Sequence, residues 1–491
     1  ISDCLVGSEM CIRDRIRSIL ILLIFSAGFQ LKSDEIVLPT IGDTLSGIVS
    51  TQQEYRMGQS WLKAFRSQVR EFNDPLIKSY LENLLYNLAT YSELDNPKLE
   101  IILIPNNTIN AFAVPGGIIG VHTGLFEYAE TEDQFASVMA HELAHLSQRH
   151  FARRIENNKD NSIAGLAGLL AGLVLASTLG GDAAMAAMTA GQAFAAENRL
   201  RYSRANEKEA DRIGLKTMKK ANRDPRASTQ MFEIMLKKLR QYGDRPPEFL
   251  LTHPVTEKRL ADAKSRTINE PRKFYESSLT YHFIRARVKA LTSNNLKDLK
   301  VEFTNDITKG YNTELAAQYG LALILSKKNE HEEARRVMNE LLTSQPDQIL
   351  LTYSDIELDI NATLMSRAFK KIDNALSRNP DNTALLSLRA DAFWKNKEFQ
   401  KSAGDYRKLV SQNPSVPHYW YQLAEVEGLA GNIRDVHTAR AEYFILIGSY
   451  EKAEDHLAIA RRLSSGDFKK NATIAQRINE LKSMQADAEK I

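Results

Sequence analysis

Residues Val138 to His150 read V-M-A-H-E-L-A-H-L-S-Q-R-H, without a proline or glycine. Such a run predicts a helix, and Phe135, Val138 and Met139 give it an apolar face to bury. Thr131 and Asp133 offer it a capped start. On a helix, positions four apart share a face. His141 and His145 therefore stack on one side, where two imidazoles can hold one metal ion, and Glu142 can reach a water on that ion. The spacing points to zinc-dependent peptide hydrolysis. The plain alternative is two helical histidines placed by chance beside a core.

Two histidines need a third protein ligand, with a fourth position left for water. A glycine and a third histidine shortly downstream would serve, but Gln148 and Phe151 stand at those positions. His150 is one residue out of register and reads as structural. The other solution is a carboxylate from a second helix. Asn206 to Gly214, N-E-K-E-A-D-R-I-G, puts Glu207 and Asp211 on one face while Ala210 and Ile213 look inward. One carboxylate can bind zinc, and another one turn away can accept the spare N–H of a ligating histidine. Glu209 lies on another face and competes as the ligand; a solvated charged helix is the non-functional alternative.

With H-E-L-A-H followed about 60 residues later by E-K-E-A-D, the chain resembles the Ste-type and heat-shock-type zinc endopeptidases. Asn110-Ala111-Phe112-Ala113-Val114-Pro115-Gly116-Gly117 resembles that family's N-A-F-A-x-P-G-G strand. Thr252-His253-Pro254 with Arg259 resembles its T-H-P…R element. The resemblance covers residues 36–270. It implies His141, His145 and Glu207 as ligands of one Zn²⁺, Asp211 behind them, and a substrate-binding edge strand at Asn110, Ala111, Phe112 and Ala113. Glu142 is the expected general base, taking a proton from water and returning it to the leaving amine. His253 can fill the fourth metal position and hold the enzyme latent, bond the oxyanion, or simply fix its loop. Arg259 can anchor that loop or polarise the carbonyl.

Elsewhere the chain reads as follows. Cys4 and Cys11 are its only cysteines, in a stretch resembling a translated sequencing adapter, so residues 1–14 are expected to be an artefact. Arg15 and Arg17, the apolar run Ile19 to Phe25, and Ser26-Ala27-Gly28 predict a secretory signal over 15–30. Helices are expected over Thr51–Arg70 and Asp74–Tyr91, and strands over Pro97–Pro105, Ile109–Val114 and Ile118–His122. Ile163 to Leu179 is almost wholly apolar, and 163–196 is expected to be a helical hairpin near the active site with possible peripheral membrane contact. A net charge of +3 without a dense basic run argues against a nucleic-acid partner.

From about Tyr275 the pattern is helical throughout. Pro346, Pro380 and Pro414 recur every 34 residues, and Ala334 and Ala368 share that spacing, the tetratricopeptide period. Such repeats build a curved surface for peptides or partners, with Trp394, Tyr419, Trp420 and Tyr421 as candidate contacts. The expected fold is mainly α with a small β-sheet: a gluzincin-like zinc peptidase domain over 36–270, then an α-solenoid of tetratricopeptide repeats over 275–490. The order signal, peptidase, repeats is similar to that of periplasmic family members of Gram-negative bacteria. That similarity implies a periplasmic endopeptidase in quality control and assembly of outer-membrane β-barrel proteins. Its implied partners are stalled or unfolded outer-membrane proteins and the barrel assembly machinery. The alternative is a largely latent protease working mainly as a periplasmic chaperone or assembly scaffold.

Overall fold

The computed structural model describes residues 49–157, 204–242, 249, 253–271, 273–276, 278–307 and 311–488. The expected artefact and signal segments, and the apolar stretch 163–196, lie outside them. Among the described residues no helix is long and apolar enough to cross a membrane.

Helix α1 (Thr51–Gln68) starts at a capping box. Ser50 Oγ accepts from Gln53 N–H, and Gln53 Oε1 accepts from Ser50 N–H. Its buried face carries Trp61, Leu62 and Phe65. Helix α2 (Pro75–Tyr91) begins with proline in its first turn, and Asp74 caps it by accepting from Ile77 N–H at 3.0 Å.

Three short strands follow: β1 (Glu100–Ile104), β2 (Ala111–Val114) and β3 (Ile118–His122). Their spatial order is β1-β3-β2, with β3 parallel to β1 and antiparallel to β2. The β2–β3 turn runs through Gly116 and Gly117 at φ 84° and 82°. A side chain at Gly117 would also strike Lys98 O, since its Cβ would lie 2.4 Å away.

Helix α3 (Thr123–Tyr128) leads to α4 (Glu132–Ser147), which carries the histidine pair, and α5 (His150–Asn157). Thr131 caps α4 as the sequence suggests, but its capping-box partner is Gln134. Asp133 instead accepts from Arg223 and from Asp224 N–H. Helices α6 (Arg204–Lys220), α7 (Ala227–Tyr242) and α8 (Glu257–Thr267) complete this part. Helix α6 crosses α4 closely at Gly214, where an added Cβ would lie 3.1 Å from His141 N.

Among the described residues twelve helices follow. Helices α9 (Leu279–Thr292), α10 (Leu296–Asp306) and α11 (Tyr311–Lys327) lead into α12 (His331–Ser344), α13 (Ile349–Asn361), α14 (Met365–Arg378) and α15 (Thr383–Lys395). The rest are α16 (Phe399–Gln412), α17 (Pro417–Leu429), α18 (Ile433–Leu446), α19 (Tyr450–Leu463) and α20 (Phe468–Ala488). The 34-residue period has a backbone signature. Asn329, Thr363, Lys397 and Gly431 each adopt a left-handed φ in the turn within a helix pair, 34 residues after the one before. Ala334, Ala368, Ala322, Ala390 and Ala424 are buried where helices meet. Tyr419 is buried too, and the Trp420 indole N–H donates to Pro414 O at 2.9 Å; Trp394 and Tyr421 are more exposed.

Several polar contacts tie the repeats to the peptidase, among them Tyr281 Oη donating to Ala129 O and Arg285 donating to Phe126 O. Arg287 of α9 is buried, with its guanidinium on Asp74 at 2.7 Å and on Glu357 of α13 at 2.8 Å. Farther along, the Lys63 ammonium of α1 donates to Tyr450 Oη at 2.9 Å. Between these ties α2 faces the repeats across a cavity of about 280 Å³ lined by Tyr80, Tyr353 and Tyr419.

Candidate metal centre

Helix α4 is buried from Gln134 through His145, packed against α2, β2, α6 and α7. A helix enclosed on all sides holds its side chains in fixed rotamers, which is what a metal site needs. His141 and His145 turn to the same side, with their Nε2 atoms 3.0 Å apart. Glu207, in the first turn of α6, brings Oε2 to 3.5 Å from His141 Nε2 and Oε1 to 3.5 Å from His145 Nε2. His253 enters from the loop before α8, with Nδ1 2.9 Å from Glu207 Oε1 and Nε2 3.6 Å from Glu142 Oε1. Ligand atoms of His141, His145, Glu207 and His253 all lie within 4.8 Å of one another, and all four residues are buried.

Asp211 lies one turn beyond Glu207, and its Oδ1 is 3.1 Å from His141 Nδ1. Arg259 grips both Asp211 oxygens at 2.7 and 2.8 Å, touches Glu207 Oε2 at 2.7 Å, and donates to Pro254 O at 2.9 Å. Those contacts commit the guanidinium to anchoring the loop and the carboxylates. Glu209, the competing ligand in the sequence, points elsewhere: its Oε2 is 3.2 Å from His150 Nε2 and 3.0 Å from Arg153.

The electrostatics suit a cation. Burial would raise Glu207, but His253 and His141 hold it well below the usual carboxylate range. Burial works against Asp211 in the same way, and His141 and Arg259 keep it ionised. Burial alone would lower His141; hydrogen bonds to Asp211 and Glu207 push it up to about 10. Burial and the neighbouring His141 push His145 well below its ordinary value. Burial also pushes His150 down to about 4, so it is neutral near pH 7.

Glu142 is fully buried, and neither of its oxygens takes a well-formed hydrogen bond. A buried carboxylate without such bonds is costly unless it faces a reacting group or a cation. Two neutral-capable imidazoles, an ionised carboxylate and this base together fit a divalent metal with nitrogen and oxygen preference. Burial raises the Glu142 pKa, opposed by His253 and His141, moving it toward the range useful for a general base.

Strand β2 lies beside α4. His122 N–H donates to Asn110 O at 3.0 Å, and Phe112 stands opposite Gly120. Antiparallel alternation then turns the backbone groups of Ala111 and Ala113 away from β3, and Ala113 N–H faces Glu142. Among the described residues no strand pairs with that outer edge. The Phe112 ring goes into the core against Trp61, over a Gly120 that has no room for a side chain. Asn110 is buried, with its amide 3.4 Å from His122 Nε2. A cleft of about 180 Å³ opens among Ala113, the Pro115–Gly117 turn, His145 and Phe151.

The contact between His150 and His145, Nδ1 to Nδ1 at 2.9 Å, is absent from any spacing rule. It depends on Arg149 taking a left-handed φ of 48°, which its residue type does not announce.

Residues 75–267 match Peptidase family M48. The chain is 31% identical over 449 residues to the beta-barrel assembly-enhancing protease of Escherichia coli O157:H7, spanning 91% of this chain and 92% of that one. It is 30% identical to the protein of the same name from Yersinia pestis, over 91% of this chain and 92% of that one. It is also 32% identical to mitochondrial metalloendopeptidase OMA1 of Schizosaccharomyces pombe, over 43% of this chain and 60% of that one. Similarity at this level across nearly the whole length, joined to a buried cluster built on the matched segment, places the chain among the metallopeptidases of family M48, in the family of the beta-barrel assembly-enhancing proteases.

Proposed function

We propose that the chain is a zinc-dependent endopeptidase of the Gram-negative periplasm, acting in the quality control and assembly of outer-membrane β-barrel proteins. The observation that carries this reading is the near full-length similarity to proteins named for barrel assembly, on a chain that keeps the buried His141–His145–Glu207 cluster. The repeats are its docking surface for unfolded or stalled outer-membrane proteins and for the barrel assembly machinery.

Zinc held by His141, His145 and Glu207 would polarise the scissile carbonyl and acidify a water molecule. Glu142, buried and raised, takes the proton from that water and delivers it to the leaving amine. Asp211 accepts from His141 Nδ1 and keeps the other ring nitrogen free for the metal. The outward backbone groups of Ala111 and Ala113 pair with an extended substrate, a grip that reads main chain rather than side chains. Asn110 and Phe112 hold that strand in place from behind.

His253 favours a second reading, in which the protease is largely latent and works mainly as a scaffold. Its ring sits inside the ligand cluster, on Glu207 and near Glu142, where substrate must come. Casein hydrolysis by the purified chain, beside Glu142→Gln and His253→Ala, separates the two. Activity that rises in His253→Ala and vanishes in Glu142→Gln supports a latched protease. Zinc-loaded protein inactive in every form favours the scaffold.

A further inference from the structure

His145 presents Nε2 to the cluster, 3.0 Å from His141 Nε2 and 3.5 Å from Glu207 Oε1. Its other nitrogen, Nδ1, lies 2.9 Å from Nδ1 of His150. His150 is fully buried, and its Nε2 lies 3.2 Å from Glu209 Oε2, the oxygen that Arg153 also holds at 3.0 Å.

The proton positions along this chain are forced. A ligating Nε2 carries no proton, so Nδ1 of His145 must carry one. It donates to Nδ1 of His150, which must then accept. The His150 proton therefore sits on Nε2 and is donated to the Glu209 carboxylate. Each donor meets an acceptor.

The backbone is bent to make this contact. Arg149 stands at a left-handed φ of 48°, and its guanidinium is clamped by Glu54 Oε2 at 2.9 Å and Val49 O at 2.7 Å. That reversal between α4 and α5 brings His150 back beneath His145. A non-glycine residue held there is a reason to look for function at its neighbour.

We propose that His150 is a positioning residue for the metal, backed by Glu209 and Arg153. It is the counterpart, behind His145, of the Asp211–Arg259 pair behind His141. It fixes the tautomer and ring orientation of His145 and so strengthens metal binding. The proposal rests on the reading of His141, His145 and Glu207 as ligands.

The test uses the full chain stripped of metal and titrated with zinc against a chromophoric chelator, and separately loaded with cobalt(II) for its visible spectrum. His150→Ala is expected to weaken zinc binding by about 10- to 100-fold and to alter the cobalt bands, in protein that still folds without metal. His150→Gln, whose carbonyl can accept from His145 Nδ1, should recover part of the affinity. Glu209→Gln should shift both readouts in the same direction by less. Wild-type affinity and spectrum in His150→Ala overturn the proposal. Should that variant not fold, Glu209→Gln at the partly exposed end decides, and wild-type behaviour there overturns it. A wild-type chain that binds no metal overturns the ligand assignment itself, a result distinct from either.

Discussion

At the scale of single residues, Glu142 has the sharpest consequence. Its carboxyl is buried with its pKa raised, and the groups that face it, Ala113 N–H and His253, belong to the site itself. Glu142→Gln is therefore expected to reduce peptide hydrolysis by at least about a hundredfold while leaving folding and metal content unchanged. Turnover at the wild-type rate would remove it from the reaction. His122 makes a different prediction. It is buried between Thr108 and Asn110, and burial pushes its pKa down to about 3. The unfolded chain binds a proton near pH 6.5 that the folded chain refuses, so stability is present above that pH and is lost as pH falls toward 3. The limiting slope is about 1.4 kcal/mol per pH unit for one such group. His418, pushed down to about 4 by burial, adds to the same acid limb. Thermal melts from pH 7.5 to 4.5 should show this limb, and His122→Gln should make it shallower; equal slopes would assign the acid sensitivity to other groups.

At the scale of elements, close backbone approaches hold the site together. A Cβ on Gly58 of α1 would lie 1.9 Å from Pro115 O, backbone that cannot turn aside. Gly58→Ala should push α1 off the β2–β3 turn and cost about 1–3 kcal/mol, visible as a lower melting temperature. A melt unchanged from wild type would show that the turn yields freely. Much of this level was legible in the sequence. The strands, the α4 cap at Thr131 and the 34-residue proline spacing are local patterns, set by periodicity and capping chemistry. That His141 and His145 share one helix face, and Glu207 and Asp211 another, was legible from their four-residue spacing, whereas the choice of Glu207 over Glu209 came from the family resemblance. What was hidden depends on tertiary contact. Phe112 sits in a strand pattern either face of which could be the core, and only Gly120 opposite decides that it points inward. Asn329, Thr363 and Lys397 share a backbone conformation but no residue type, so the repeat's turn left no mark in the letters. His150 looked out of register because the third-histidine position falls at Phe151; its contact with His145 arises from the left-handed Arg149, which no spacing rule foresees.

At the scale of the molecule, Arg287 joins the two halves. It is buried, and its charge is balanced by Asp74 of the peptidase and Glu357 of the repeats. Asp74 also caps α2, so the same carboxylate ends a helix and ties a joint. Removing one partner of a buried pair strands the other, and Arg287→Ala is expected to destabilise the protein by about 3–5 kcal/mol. The melting temperature should fall accordingly; a wild-type melt in Arg287→Ala would show that this joint carries no stability. The same wrapping places α2 between the metal helix and the repeats, a physical route by which docking on the repeats can reach the cluster. The proposed hydrolysis depends on the cluster being a metal site with Glu207 as its third protein ligand. The direct measurement is the metal content of the purified full chain by mass spectrometry, beside Glu207→Ala. One zinc per chain in the wild type, lost in Glu207→Ala, is the predicted result; a metal-free wild type, or full zinc retained in Glu207→Ala, would contradict it.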